Sequence, residues 1–394
     1  MSTALEQGIR FFTRETGILS ALAAACGTEE RTVTAMDGEC ADTSVFDLAS
    51  VTKLFTGLCL MKLKEDGLLD FSRPVSFYDP RFENLRDTPV DALAKFALTL
   101  KTPARLDACG SREEAQAELF AAAPAEIPDR RIYSDIPAMI LKYVIEAAAG
   151  VPMMECVRQV VLLPAGMRET WAKIPDGRLA DCQVYSPEYR IENGRRIVRA
   201  NLTPGVPHDP KAAVLQGATG DLCGHAGLFS TLADMERFCR AVLARRIVGE
   251  ESLREMAVNR TGCLREDGTY TQYLGVQCYV RHPVQYWSEI PVYMGGAAFG
   301  IGGFTGNHTS MDPKRNRFTI FLGNRVKGRL TVLVPEAGKT LTDYGLNADG
   351  SGTFNWEDGQ VLPSSVKYVH QKDAHLHAAV METLGFGEIP FGEE

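Results

Sequence analysis

The sequence predicts an α/β (α+β) fold, in which an antiparallel sheet is flanked by helices and carries an inserted, mainly helical region. Short apolar runs typical of strands lie near both ends of the chain, whereas apolar residues at helical spacing dominate the middle. A chain of 394 residues is too long for one small core and suits one large domain or a main domain with an insertion. We therefore expect residues 1–72 and 220–394 to form the sheet domain and residues 73–219 to form the inserted region.

The individual elements follow from local patterns. Apolar residues at helical spacing and the glycines that end them predict helices, and short apolar or β-branched runs predict strands. The segment 171–220 is rich in turn formers and is interpreted as a long surface excursion, and 327–370 is not assigned. The predicted helices are 3–16, 46–63, 136–149, 232–243 and 373–384, and the predicted strands are 17–25 and 31–35 as a hairpin, 273–280, 291–294 and 317–322.

Composition and charge exclude several classes of protein. The formal net charge is −8, which argues against a nucleic-acid partner because such proteins usually present a basic face. The 10 cysteines form no CxxC pair, which favours free thiols in a reducing compartment. No signal peptide is visible and the apolar stretch 17–27 is too short to span a bilayer, so a cytoplasmic location is expected. An exported form whose signal has been removed is the alternative.

Ser50 and Lys53 are the first candidates for chemistry. They stand at i and i+3 near the start of the predicted helix 46–63, so both lie on one helix face. A serine hydroxyl needs a neighbouring base or cation to become a nucleophile, and backbone N–H groups at a helix start can stabilise an oxyanion. The alternative is a helix-capping serine followed by a solvated lysine.

The stretch 46–70, FDLASVTKLFTGLCLMKLKEDGLLD, resembles the first active-site motif of the serine β-lactamase and penicillin-binding-protein superfamily. It is most similar to the class C β-lactamase-like branch, which includes esterases, transacylases and D-aminopeptidases. The resemblance implies a β-lactamase/transpeptidase-like fold. It also implies that Ser50 is the nucleophile and Lys53 its partner.

Tyr133-Ser134-Asp135 resembles the Tyr-x-Asn motif of the same branch. The resemblance implies that Tyr133 shuttles the proton of Ser50, with Lys53 as the cation that makes a phenol an effective base. Asp135 stands where the family commonly has Asn, and it either pairs with Lys53 or alters substrate contacts. The alternative for Tyr133 is a half-buried surface tyrosine.

The third motif departs from the family pattern. In Phe299–Gly302 and the Gly303-Phe304-Thr305-Gly306 run that follows, Ile301 replaces the usual Lys or His and Gly302 replaces Thr. Gly303 remains, so an oxyanion N–H from Phe304 is expected. The missing cation would have held a substrate carboxylate, which favours neutral substrates. His225 lies in a segment, 219–238, that resembles the family's glycine-rich entry to a site helix; it is either a functional base or a structural residue.

The sequence thus predicts a serine hydrolase or acyltransferase that acts on an ester or amide through an acyl-enzyme on Ser50. The alternative is a catalytically weak or inactive binding protein of the same fold, favoured by Ile301. A small-molecule acyl, ester or peptide substrate is expected, with no cofactor, no metal, no nucleic acid and no membrane span; the oligomeric state is left open. His375 and His377 point to different faces of a predicted helix and therefore do not predict a metal site.

Overall fold

The structure, a computed structural model, describes residues 3–126, 132–200, 202–284 and 289–392. Its strands form one large sheet and several small ones. In chain order the strands are β1 (Ala21–Gly27), β2 (Thr32–Gly38), β3 (Phe46–Asp47), β4 (Thr99–Lys101), β5 (Ala123–Ala125), β6 (Thr170–Trp171), β7 (Glu188–Glu192), β8 (Arg195–Arg199), β9 (Phe229–Ser230), β10 (Tyr279–Val280), β11 (Phe299–Gly302), β12 (His308–Asp312), β13 (Arg317–Gly323), β14 (Arg329–Val334), β15 (Thr353–Asn355) and β16 (Val361–Pro363).

The large sheet has six strands in the order β10-β11-β12-β13-β1-β2, and each neighbouring pair is antiparallel. The predicted hairpin is confirmed as β1 and β2, with Ala24 opposite Ala35. On its other side β1 pairs with β13, which places Ala24 opposite Phe321. The sheet is therefore built from both ends of the chain, and all six strands lie outside 73–219.

Helices cover the sheet, and most of them lie in the part of the chain between strands β2 and β10. The predicted helices 136–149 and 232–243 are confirmed with the same bounds. The α-helices are α1 (Ala4–Arg10), α2 (Thr52–Glu65), α3 (Val75–Tyr78), α4 (Val90–Ala94), α5 (Arg112–Phe120), α6 (Ile136–Ala149), α7 (Met153–Val157), α8 (Leu163–Ala165), α9 (Pro210–Gln216), α10 (Leu232–Leu243), α11 (Glu250–Met256), α12 (Tyr368–Gln371) and α13 (His377–Leu384).

The two faces of the sheet contribute to two different cores. Side chains of a strand alternate between faces, and in β1 Ala23 and Ala25 join the large core that also contains α2 and α6. Leu22 and Ala24 face the other way, into a core shared with the terminal helices α1 and α13. The expected cover of terminal helices is therefore present on one face.

Besides shifts in the bounds of the two terminal helices and of the sheet strands, four boundaries or assignments differ from the sequence prediction. Helix α2 begins at Thr52, because residues 46–47 pair with β9 as a strand and Ala49 has a φ of 47°, which no α-helix accommodates. The segment 171–220 is not only a surface excursion, since β7 pairs with β14 and β8. The predicted strand 291–294 is a turn buried under the terminal helices, and the predicted strand 273–280 is reduced to β10.

Among the residues described, no single helix is long and apolar enough to cross a bilayer. The bent pair of helical segments Ile136–Ala149 and Met153–Ala165, which meet at 74°, satisfies the same criteria of length and composition when the two are taken together.

Candidate active site

Ser50 lies in a single tight turn between β3 and α2. The preceding residue, Ala49, has a φ of 47°, in the left-handed region that a residue with a Cβ rarely adopts. Asp47 holds this conformation, because its Oδ1 accepts the N–H of Ala49 at 2.9 Å. The strained turn presents Ser50 at the start of the helix, on the wall of a cavity.

Asp47 connects the Ser50 turn to two distant segments. Its Oδ2 accepts the N–H of His208 at 2.7 Å. Its carbonyl oxygen accepts hydrogen bonds from Thr305 Oγ1 at 2.9 Å and from Asn307 Nδ2 at 2.6 Å. Burial raises the pKa of the Asp47 carboxyl. Since Asp47 is fully buried, these bonds fix the Ser50 turn relative to the loop that follows β11.

Lys53 is fully buried one helical turn after Ser50. Its Nζ donates to Ser50 Oγ at 3.1 Å, to Asp135 Oδ1 at 2.7 Å and to the carbonyl oxygen of His225 at 3.0 Å. The alternative of a solvated lysine is therefore wrong. The alternative of a capping serine is also wrong, because the N-cap of α2 is Val51 and Ser50 lies within the short 3₁₀ turn that precedes the helix.

Tyr133 lines the same cavity as Ser50. The centroid of its ring lies 4.9 Å from Lys53 Nζ, and its ring stacks on that of Tyr279 with centroids 5.5 Å apart. The backbone N–H groups of Ile132 and Tyr133 donate to Gln272 Oε1 at 2.9 and 2.8 Å, which fixes the backbone here. The Tyr133 side chain is half-buried, and it lines the cavity on whose wall Ser50 lies. It is therefore more than a half-buried tyrosine on the outer surface.

A charged network extends from Lys53 away from Ser50. Asp135 Oδ2 pairs with Lys211 Nζ at 3.1 Å, Lys211 pairs with Asp209 at 3.2 Å, and Asp209 Oδ1 pairs with His225 Nε2 at 3.0 Å. Burial opposes ionisation of Asp135, but the charges of Lys53, His225 and Lys211 outweigh it and lower its pKa. Burial likewise opposes the charged form of His225, yet Cys223 and Asp209 raise its pKa to about 10.

His225 contributes to the site through its backbone, since its carbonyl oxygen holds Lys53 while its buried ring faces Asp209. Asp135, Asp209 and His225 bring three potential metal-ligand atoms within 4.8 Å of one another. Lys53 and Lys211 already pair with the two carboxylates, however, so their charge is compensated without a cation from solution.

The third-motif strand, β11, passes directly beside the Ser50 turn. A Cβ on Gly303 would lie 2.7 Å from the carbonyl oxygen of Leu48 and 3.3 Å from Cβ of Ala49, so only glycine fits. Ile301 is fully buried in the large core and does not line the cavity. Next to it, a Cβ on Gly302 would lie 2.8 Å from a carboxylate oxygen of Glu289.

The cavity has a volume of about 430 Å³ and brings residues of all three motifs together. Five residues that the sequence analysis singled out line it: Ser50, Tyr133, Asp135, Gly303 and Phe304. His225 and Lys53 lie behind its wall. The sequence did not identify its further charged lining residues, which come from distant segments: Arg105, Asp107, Arg190, Arg199, Asp209, Lys211, Glu289, Arg325 and Lys372. No sequence motif marks these residues.

The fold is that of the β-lactamase/transpeptidase-like class of proteins, as predicted. Within that class the chain belongs to the beta-lactamase family, whose sequence profile matches residues 5–336. Assignment to the serine hydrolases of this family agrees with the relatives that it resembles.

Relatives in sequence include a putative D-alanyl-D-alanine carboxypeptidase of Salmonella heidelberg, 25% identical over 346 residues, which cover 82% of this chain and 78% of the relative. The corresponding protein of Salmonella typhi matches equally well. Among solved structures, a mutant of the simvastatin synthase LovD from Aspergillus terreus superposes with a TM-score of 0.59 at 14% identity, over 81% of this chain and 90% of that one. An octameric penicillin-binding protein homologue from Pyrococcus abyssi superposes with a TM-score of 0.58 at 18% identity, over 81% and 72% of the two chains.

Proposed function

We propose that this protein is a serine hydrolase or acyltransferase that forms an acyl-enzyme on Ser50 from an ester or amide substrate. The observation that carries the proposal is the hydrogen bond of 3.1 Å from the buried Lys53 Nζ to Ser50 Oγ, on the wall of a cavity that Tyr133 also lines. A buried lysine that contacts a serine hydroxyl beside an open cavity is suited to activating that hydroxyl.

The proton acceptor in this proposal is Tyr133. Lys53 donates to three different oxygen acceptors, which is the hydrogen-bonding pattern of an ammonium group. An ammonium has no lone pair to accept the proton of Ser50. It does favour a phenolate on Tyr133, whose ring centroid is 4.9 Å from Nζ.

The reaction then proceeds in two steps. Ser50 Oγ forms a bond to the carbonyl carbon while its proton passes to the Tyr133 phenolate, and the carbonyl oxygen becomes an oxyanion. The leaving group departs with the proton of Tyr133, which leaves the acyl group on Ser50. Water or another hydroxyl or amine attacks this ester, gives its proton to Tyr133, and Ser50 regains a proton from Tyr133 as the acyl group leaves.

The oxyanion is assigned to the backbone N–H groups of Ser50 and Phe304. Neither N–H donates a hydrogen bond to any residue within the described parts of the chain. The close approach of Gly303 to Leu48 supports the pairing, since it brings the two backbone segments into contact.

No single residue decides between hydrolysis and acyl transfer. The Salmonella relatives are named as putative carboxypeptidases, and the LovD structure is that of a simvastatin synthase. Small acyl, ester or peptide substrates are therefore the classes to test first.

All ten cysteines are free, which supports the proposed location in a reducing compartment such as the cytoplasm.

A binding protein without turnover is the second candidate. The observation that favours it is Ile301, whose buried aliphatic side chain removes the cation usual at this position of the third motif. An inactive relative would retain the cavity and bind an ester or peptide without forming a covalent bond to Ser50.

The test is an activity screen with p-nitrophenyl esters, D-amino-acid amides and nitrocefin on the wild-type protein and on Ser50→Ala. Turnover of at least one class by the wild type, and its loss in Ser50→Ala, supports the enzyme. Binding of these compounds without turnover, unchanged in Ser50→Ala, supports the binding protein.

A further inference from the structure

Arg325 lies at the cavity wall and forms no ion pair with a carboxylate among the residues that the structure describes. Its side chain is 7% exposed, and its Nη2 donates to the carbonyl oxygen of Thr331 at 2.9 Å. Its Nε is buried and has no hydrogen-bond partner among the residues that the structure describes. A buried guanidinium with unused donors is an unfavourable arrangement unless an anion completes it.

The other cations that line the cavity are already compensated. Each forms an ion pair with a carboxylate: Arg105 with Asp107, Arg190 with Glu192, Arg199 with Glu188, Lys211 with Asp135 and Lys372 with Glu289. Arg325 forms no such pair in the described parts of the chain. It is therefore the cation of this cavity whose charge remains for a ligand.

Glu188, the carboxylate whose charge acts on Arg325, is occupied by other partners. Glu188 Oε2 accepts from Arg199 Nη1 at 3.0 Å and contacts His208 Nε2 at 2.9 Å, while its Oε1 accepts from Thr331 Oγ1 at 2.6 Å. Burial lowers the pKa of Arg325 to about 10, which still leaves the guanidinium protonated at pH 7. Arg325 thus keeps a net positive charge at the cavity.

Arg325 is also close to the proposed oxyanion site. Its guanidinium carbon lies 4.6 Å from the ring centroid of Phe304, the residue whose N–H is assigned to the oxyanion. The backbone N–H of Arg325 donates to the carbonyl oxygen of Thr305 at 3.0 Å, which fixes it to the same loop. An anion held by Arg325 would therefore lie next to the reacting carbonyl.

We propose that Arg325 binds a carboxylate of the substrate, and that it takes over the task of the cation missing at Ile301. The inference rests on the proposed acyl-transfer function and narrows it to esters or amides that carry a free carboxylate near the scissile bond. It reverses the expectation of neutral substrates. Arginine suits this role because its planar donors match the geometry of a carboxylate.

The test compares charged and neutral forms of the same ester. One pair is p-nitrophenyl succinate and its methyl ester, with the carboxylate on the acyl group. The other is acetyl-D-alanyl-D-lactate and its methyl ester, with the carboxylate on the leaving group. Wild-type kcat/KM is expected to favour the acid over its methyl ester in at least one pair. In Arg325→Gln this preference is expected to fall about 10- to 100-fold, the loss of one hydrogen bond to a charged group.

Arg329→Gln is the matched control. Arg329 is also bound by carbonyl oxygens, of Gly17 and Lys327, but it does not line the cavity. In Arg329→Gln, the ratio of kcat/KM on the acid to kcat/KM on the methyl ester is expected to match that of the wild type. Arg325→Lys is expected to retain part of the preference for the acid. Equal losses of kcat/KM on the acid and on the methyl ester in Arg325→Gln would overturn the proposal, because they would indicate that Arg325 has a purely structural role. Equal wild-type rates on acid and methyl ester in both pairs would also overturn it.

Calorimetry with monomethyl succinate on Ser50→Ala separates this inference from the proposed function. Binding that is lost in Ser50→Ala/Arg325→Gln supports the carboxylate site even if the wild type turns over no ester. Turnover by the wild type, together with calorimetric binding that Arg325→Gln leaves unchanged, would preserve the proposed function and overturn the carboxylate site.

Discussion

The carboxylate of Asp135 lies 2.7 Å from the ammonium of Lys53. Lys53 Nζ, which contacts Ser50 Oγ, is thus also paired with a carboxylate. Lys53 is fully buried, whereas the Asp135 side chain is 24% exposed and also contacts Lys211. The negative charge of Asp135 offsets part of the positive charge that Tyr133 needs to act as a base.

Asp135→Asn is therefore expected to shift the acidic limb of the kcat/KM profile to lower pH. Without the carboxylate, Lys53 and Lys211 stabilise a phenolate on Tyr133 more strongly, so the base is available at lower pH. The pH dependence of kcat/KM on a p-nitrophenyl ester measures this shift. Asp107→Asn, which changes another acid of the cavity wall, is the control and should leave the limb in place. A shift to higher pH in Asp135→Asn would contradict Tyr133 as the acceptor.

Lys53→Met is expected to reduce kcat/KM by about 10²- to 10⁴-fold, because Tyr133 loses the cation that makes it an effective base and general acid–base catalysis contributes a factor in this range. Methionine fills a similar volume but removes the charge and the bond to Ser50 Oγ. Asp135 loses one of its two cationic partners and keeps Lys211, so the free energy of unfolding should also fall, by less than the ~3–5 kcal/mol of a fully buried pair. Lys62→Met, on the exposed side of the same helix, is the control and should change neither quantity appreciably. Activity near the wild-type level in folded Lys53→Met would contradict its role.

Gly303→Ala is expected to impair activity more than stability. The added Cβ would meet the carbonyl oxygen of Leu48 at 2.7 Å and push β11 away from the Ser50 turn. Overpacking of this kind costs about 1–3 kcal/mol of stability, and a displaced oxyanion N–H costs about 10²- to 10³-fold in kcat. Steady-state kinetics and urea unfolding measure the two effects.

Gly177→Ala is the matched control for Gly303→Ala, because nothing lies within 4 Å of its added Cβ. Its kcat and unfolding free energy should stay close to the wild type. Equal and small effects in the two variants would show that β11 does not press on the Ser50 turn.

His225 is expected to make stability fall as pH rises. Its pKa in the folded protein is raised from 6.5 to about 10, where Cys223 and Asp209 outweigh burial. The folded state then binds more protons than the unfolded state between these values, so this contribution is complete below pH 6.5 and is lost by pH 10. The slope reaches about 1.4 kcal/mol per pH unit for one proton. Urea unfolding at several pH values should show this slope in the wild type and not in His225→Gln; an identical slope in both would contradict it.

The sequence predicted the large elements because their patterns are local. Helix α6 has a continuous apolar pattern that ends at a glycine with a φ of 68°, and the hairpin of β1 and β2 has a turn-forming sequence between two apolar runs. The start of α2 was placed too early, because the pairing of Phe46 with Ser230 is a long-range contact that no local pattern indicates. Local secondary-structure propensity does not predict such a contact.

The motifs identified the residues closest to Ser50 but not those that hold them. Asp47 orients the Ser50 turn through bonds to His208, Thr305 and Asn307, which lie far away in the sequence. Arg325 lies within residues 5–336, which the family profile matches, yet its significance depends on its having no carboxylate partner in the described parts of the chain. Only the folded arrangement shows which charges are compensated.

The most direct test is the identification of a covalent adduct on Ser50. Wild type, Ser50→Ala and Lys53→Met are treated with a fluorophosphonate probe, digested and analysed by mass spectrometry. We predict that the wild type carries the probe on the peptide containing Ser50, that Ser50→Ala carries none there, and that Lys53→Met reacts much more slowly. An unlabelled Ser50 in folded wild-type protein that also turns over no ester or amide would contradict the assignment of Ser50 as the nucleophile.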